Sequence, residues 1–388
     1  MELEYWRLLL LPFFFGLGWI AARVDIRHVV RESRVLSRSY FQGLNFLLNE
    51  QPDKAVDAFL EVAKSDTQTV ELNFALGGLF RRRGETERAI RMHQILIDRD
   101  DLGEEIRLQA LSELGQDFLK VGLLDRAEEI FLKLRSSSFR EEAQRYLMEI
   151  HQLEKDWGKA IEVARELPDL YSGKEIAQFY CEQASNEMMR SRFDPAEDLL
   201  AKALAAHRKC VRASLLQGDL AVRRADPGAA IVFWQRIEQQ DAAYLALVAQ
   251  RLLEAYRQIN KTGEGLALLR AYLERYPSLD LLDSVYQLEL ESEGVEAAYG
   301  LVRAELKRNP SLLGLEKLMD ARLPLSSNES RGDLELARGI IQGYTRRLAR
   351  YRCDHCGFRA RQFYWRCPAC GGWETYPPRR AEEFDPLL

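Results

Sequence analysis

Glycine, alanine and phenylalanine recur along this 388-residue chain with a period near 34. Gly43 is followed by Ala55 and Phe59, Gly77 and Phe80 by Ala89, and Gly115 and Phe118 by Ala127 and Phe131. The glycine-to-alanine spacing is twelve in all three units. Ala160, Ala196 and Ala230 continue the series at intervals of 33, 36 and 34, and Gly218 again stands twelve before Ala230. A unit this short cannot bury its own apolar face, so it must stack on its neighbours. The period therefore predicts a solenoid of paired helices. The small residues let the two helices of a pair approach closely, and the aromatics fill the groove between neighbours.

That arrangement is the tetratricopeptide pattern. Turn signals agree with it: Arg83-Gly84-Glu85, Val121-Gly122-Leu123, Arg192-Phe193-Asp194-Pro195 and Ala225-Asp226-Pro227-Gly228 each precede a packing alanine. Tyr276-Pro277 and Asn309-Pro310 mark later helix ends. The early tryptophan usual in such repeats is absent, and the fourth and fifth units lack the glycine. Beyond Thr262 the units read only as helical pairs. The array is expected over residues 36–323, as six good repeats and two or three degenerate ones. The polar run 324–333, PLSSNESRGD, reads as a loop and 334–347 as a last helix, so that 324–348 links the array to the C-terminal region.

That region holds a four-cysteine pattern, Cys353-x2-Cys356-Gly357 and Cys367-x2-Cys370-Gly371, with ten residues between the pairs. Two such hairpins supply four thiolates to one tetrahedral ion, either zinc in a ribbon or iron in a rubredoxin-type centre. The glycines permit tight turns whose backbone N–H groups point at the sulfurs. The knuckles look like rubredoxin, whereas the gap is closer to that of a small ribbon. Residues 349–380 form this module, rich in Phe358, Phe363, Tyr364, Trp365, Trp373 and Tyr376 and small enough to need its metal to fold. His355 is expected exposed within the first knuckle. Cys181 and Cys210, each alone in a helical stretch, read as small buried hydrophobes.

At the other end, Leu8–Ala22 carries no charge, and residues 1–22 approach the length of a membrane span. Tyr5, Trp6 and Trp19 stand near its ends, as interfacial rings do. Glu2 and Glu4 argue against a cleaved signal peptide. Arg23, Arg27, Arg31, Arg34 and Arg38 come next, which places the flank on the cytoplasmic side. Residues 23–35 read as a basic juxtamembrane helix. Charge is uneven elsewhere too. Residues 345–380 hold nine Arg against Asp354 and Glu374, while the tail 381–388 is acidic and the whole chain carries −5. The overall balance does not suit a nucleic-acid binder. No H-E-x-x-H, P-loop, G-x-S-x-G or dinucleotide fingerprint is present, and the five histidines are scattered. The expectation is a non-enzyme: an all-α tetratricopeptide-repeat superhelix with an N-terminal transmembrane helix and a C-terminal rubredoxin-like or zinc-ribbon module.

The order of these parts resembles the lipopolysaccharide assembly protein B family of Gram-negative bacteria. The stretches LSRSYFQGLNFLLNEQPDKAVDAFL, LGGLFRRRGETERAIRMHQ and RYRCDHCGFRARQFYWRCPACGGWETYPP carry the resemblance. It implies an inner-membrane protein facing the cytoplasm. It implies an adaptor that brings the lipid A deacetylase LpxC to the membrane protease FtsH. It also implies links to the lipopolysaccharide transport machinery and to an inner-membrane regulator. Cys353, Cys356, Cys367 and Cys370 match the family's metal ligands, and no catalytic residue carries over. The competing readings are a rubredoxin-like electron carrier and a general envelope-assembly scaffold.

Overall fold

The computed structural model describes residues 70–345 and 351–379, together with 42, 43, 45, 46, 54 and 58. The expected anchor over 1–22, the juxtamembrane segment and the acidic tail lie outside these residues. Among the described residues no helix is long and apolar enough to cross a membrane. The chain divides into two compact units, the first ending at Glu154 and the second beginning at Lys155.

In the first unit, helices α1 (Val70–Arg83), α2 (Thr86–Ile97), α3 (Glu104–Val121), α4 (Leu124–Leu134) and α5 (Arg140–Glu154) pack each on the next. The repeat glycines explain the close crossings. A Cβ at Gly77 would sit 2.3 Å from His93 Nε2, and one at Gly115 would sit 2.7 Å from the Phe131 ring. In both cases the ring stands sixteen residues after the glycine, on the second helix of the pair. His93 is wholly buried and bonds Asp117 at 2.5 Å through Nδ1. The Asp117 carboxylate also accepts from Arg81 at 3.1 Å, and Arg81 reaches Glu113 at 2.6 Å. The histidine is therefore a paired core residue.

The second unit continues the pattern with α6 (Trp157–Glu166), α7 (Gly173–Met189), α8 (Phe193–Ala206), α9 (Val211–Arg223), α10 (Pro227–Gln235) and α11 (Ile237–Asp241). A 3-10 turn over Ala242–Leu247 leads to α12 (Ala249–Gln258), α13 (Thr262–Arg275), α14 (Leu279–Ser292), α15 (Val295–Arg308), α16 (Leu312–Arg322) and α17 (Asn328–Thr345). Local chemistry sets the starts. Ser172 and Glu175 form a capping box at α7, and Asp226 caps α10 with Pro227 in its first turn. Gly218 repeats the rule of the first unit, since a Cβ there would lie 2.1 Å from Trp234 Nε1. The indole nitrogen donates to Leu215 O at 3.1 Å. Where the unit lacks glycine, Ala184 takes its place and the residue sixteen on is the smaller Leu200, both fully buried in one cluster.

Turns between paired helices share one device, a single residue in the left-handed region. Gly84, Gly122 and Gly294 supply it without strain, while Lys155, Ser191, Ala225 and Asn260 adopt φ near +60°. One sequence expectation is corrected here. Residues 328–333, expected in a loop, are the first turns of α17, which spans Asn328–Thr345. Ser327 O accepts the N–H groups of Ser330 and Arg331, and Arg331 pairs with Glu335 at 3.1 Å one turn on. Polar composition there marks a solvated helix start.

Candidate metal centre

Two short strands open the C-terminal module, β1 (Tyr351–Arg352) pairing antiparallel with β2 (Arg359–Ala360). The Arg366–Trp373 bridge repeats this hairpin around the second cysteine pair. The two knuckles are built alike. Gly357 N donates to Cys353 O and Gly371 N to Cys367 O, both at 2.9 Å. Both glycines are left-handed, with φ of 74° and 71°. Each turn aims backbone N–H groups at its sulfurs: those of His355 and Cys356 at Cys353, Phe358 at Cys356, Ala369 and Cys370 at Cys367, and Gly372 at Cys370. The turn geometry expected from the glycines is thus present at both pairs.

Folding brings the four sulfurs within 4.8 Å of one another. Cys353 and Cys370 are 3.8 Å apart and Cys356 and Cys367 3.7 Å. A tetrahedron with metal–sulfur bonds of about 2.3 Å has edges of ~3.8 Å, so the cage fits a zinc- or iron-sized ion. The donor set is soft and complete, leaving no position for a substrate. Burial raises the Cys353 thiol, but the Thr375 hydroxyl at 3.3 Å and two backbone N–H groups outweigh it and hold Cys353 at about 6. Thiolate character is favoured at Cys353 and Cys367, whereas burial and the neighbouring thiols hold Cys356 and Cys370 above the ordinary thiol value. His355 is exposed, as expected, and stands outside the ligand group.

The module's rings seat it on the repeat helices. Trp373 meets Trp157 of α6 and Phe179 of α7 edge-on, with centroids 6.0 and 5.9 Å apart. Trp365 stacks flat on Tyr244 at 5.5 Å, and Phe363 packs edge-on to the same ring. Arg212 of α9 lies over both Trp365 and Trp373 at 5.8 and 5.9 Å. Its guanidinium also donates to Glu182 at 2.8 Å and to Gln178 at 3.3 Å. The Gln178 amide in turn donates to Glu374 at 2.6 Å. Burial pushes the Glu374 carboxyl above its ordinary range. Desolvated cation–π contacts of this type contribute about 2 kcal/mol and aromatic pairs about 1 kcal/mol each. Sequence order alone places such rings on the last helices of the array, next to the module; their receivers lie instead on α6, α7 and α9. Nor does sequence order show that Cys181 and Cys210 meet. Both are buried, and their sulfurs are 3.9 Å apart beside the Gln178 amide.

Stacked helical hairpins, a small residue at each close crossing and a docked four-thiolate knuckle pair define a tetratricopeptide-type scaffold carrying a rubredoxin-like metal module. The family model for the rubredoxin metal-binding domain matches residues 351–378. Over 96% of this chain and 97% of the relative, the sequence is 38% identical to Lipopolysaccharide assembly protein B of Escherichia coli (strain K12). It is 31% identical to the Haemophilus influenzae protein of the same name over 97% and 98%. Among solved structures, the complex of the TPR2AB domain of yeast Sti1 with pHSP90 aligns at 13% identity, covering 70% of this chain and 96% of that one, with a TM-score of 0.30. The chain belongs to the lipopolysaccharide assembly protein B family.

Proposed function

We propose that this protein takes part in lipopolysaccharide assembly as a membrane-anchored adaptor, presenting the deacetylase LpxC to the protease FtsH on the cytoplasmic face of the inner membrane. The observation that carries the reading is the near full-length similarity to relatives named for lipopolysaccharide assembly. The architecture supports it. Repeat helices offer long surfaces for proteins, and the metal site is a closed cage whose role is to fold and dock a module. The anchor over 1–22 would confine the chain to the bilayer of a membrane protease and raise the local concentration of a bound client. The transport machinery and an inner-membrane regulator are the further partners of this reading.

A pulse-chase of the deacetylase in matched strains tests it. Deleting the repeat array, or combining Cys367→Ser with Cys370→Ser, is expected to lengthen the deacetylase lifetime and raise lipopolysaccharide, with activity per deacetylase molecule unchanged. An unchanged lifetime without the array would sink the adaptor reading and return weight to an electron-carrying or general scaffold role.

A further inference from the structure

Six cysteines occur in the chain, and four of them make the metal cage. The other two are Cys181, in the middle of α7, and Cys210, which immediately precedes α9. They stand 29 residues apart in sequence, yet α7 and α9 pack on each other and bring the two sulfurs to 3.9 Å. Both are free thiols, and neither is exposed to solvent. A disulfide holds its sulfurs at about 2.05 Å, so each sulfur has roughly 1 Å to travel to form one.

The two thiols differ in their surroundings. The Cys181 thiol donates toward the Cys210 sulfur, and the Ala213 N–H in the first turn of α9 points at the same atom. Together they hold Cys210 below the ordinary thiol value against its burial. Burial pushes Cys181 well above that value. A thiolate at the start of a helix is the reactive form of cysteine. A neutral thiol in contact with it is placed to resolve its oxidised form.

The pair also lies directly beneath the seat of the metal module. Gln178, one turn before Cys181 on α7, sets its side-chain nitrogen 3.8 Å from the Cys210 sulfur and donates with the same atom to Glu374 at 2.6 Å. A single amide thus separates Cys210 from the module. Phe179, two residues before Cys181, meets the Trp373 ring. We propose that Cys181 and Cys210 are a modification site, a thiol pair that hydrogen peroxide converts to a disulfide when the module lifts from α7 and α9. The Cys210 sulfur attacks one peroxide oxygen. The O–O bond breaks, and the second oxygen takes up a proton and leaves as water, giving a sulfenic acid on Cys210. The Cys181 sulfur then attacks the Cys210 sulfur. The S–S bond forms as the S–O bond breaks, and the departing hydroxide takes the Cys181 proton as a second water. Two thiols are oxidised and one peroxide is reduced. With the module seated the sulfurs are shut away from the oxidant, so local opening sets the rate.

Peroxide treatment of the full-length, metal-loaded protein, followed by alkylation, digestion and mass spectrometry, tests the proposal. A peptide pair linked through Cys181 and Cys210 is expected, formed at a rate independent of protein concentration and released by dithiothreitol. Trp373→Ala is expected to form it about tenfold faster, because two aromatic contacts of the seat are lost. Trp365→Ala, which removes the contacts to Tyr244 and Arg212, is expected to speed it as well. Metal content and helical circular dichroism, followed in parallel, show whether cage and array persist in these variants. With Cys181→Ala, dimedone is expected to trap the sulfenic acid on Cys210. No linked peptide even in the tryptophan variants, oxidation that stops at sulfinic acid on unlinked cysteines, or one rate for all the proteins would overturn the proposal. Dimedone labelling of Cys181 in a Cys210→Ala protein, with none of Cys210 in the Cys181→Ala protein, would overturn the assigned roles.

Discussion

At Gly218 the chain leaves no space for a methyl group, because the Trp234 indole occupies it. Gly218→Ala is expected to destabilise the second unit by about 1–3 kcal/mol, the range for overpacking a filled core. Adding Trp234→Leu should recover part of the loss, since Ala184 with Leu200 is the same solution elsewhere in the unit. Denaturant titration of the single and double variants measures it, and additive losses would reject the pairing rule. A second residue-scale expectation concerns Glu374. Its folded pKa is raised by burial, so its protonated form is the stabilising one. That contribution is complete below the ordinary carboxylate value and is lost as pH rises through the higher folded value. At pH 7 the buried charge is therefore a cost. Glu374→Gln keeps an acceptor for Gln178 and removes the charge. It should raise the unfolding midpoint at pH 7–8, with the advantage shrinking as pH falls toward the raised value. An advantage that grew on acidification would reverse the assignment.

Among the elements, the turns between paired helices are the place to gain stability. Ala225 holds φ of 60°, a conformation costly for any residue with a Cβ. Ala225→Gly is expected to stabilise by up to about 1 kcal/mol, read as a shift in denaturation midpoint. The positions of these turns were legible in the sequence because Gly84, Gly122 and Asp226-Pro227 announce them. The packing alanines were legible for a similar reason: Ala89, Ala127, Ala160, Ala196 and Ala230 are all fully buried. The start of α17 was not, because Ser327 to Asp333 have loop-like composition and their helical bonds depend on backbone geometry. The metal ligands were visible as a local spacing. Their seat was invisible, since Trp157, Phe179, Arg212 and Tyr244 are scattered over four elements and meet the module only through the fold. The compensation at Ala184 and Leu200 could have been found by asking what stands sixteen residues after each repeat position.

For the whole molecule, the four-thiolate module closes a contact between distant parts of the chain, and a bound metal would be its support. Chelation is expected to unfold the module and release Trp365 and Trp373 from Tyr244, Phe179 and Arg212, changing tryptophan fluorescence. Most helical circular dichroism should persist, because stacked repeats draw stability from their neighbours. Loss of both signals together would mean that the array depends on the module for its own folding. The bond from Gln178 to Glu374 spans 196 residues, and the span matters while the protein is being made. At about 5–20 residues per second, a ribosome takes roughly 10–40 s to travel that distance. Throughout that interval the emerging helices carry Trp157, Phe179 and Arg212 with their eventual cover still unsynthesised. Any chaperone able to hold an aromatic surface would have first access to this face. The chain's own C-terminal module, once charged with metal, must displace it.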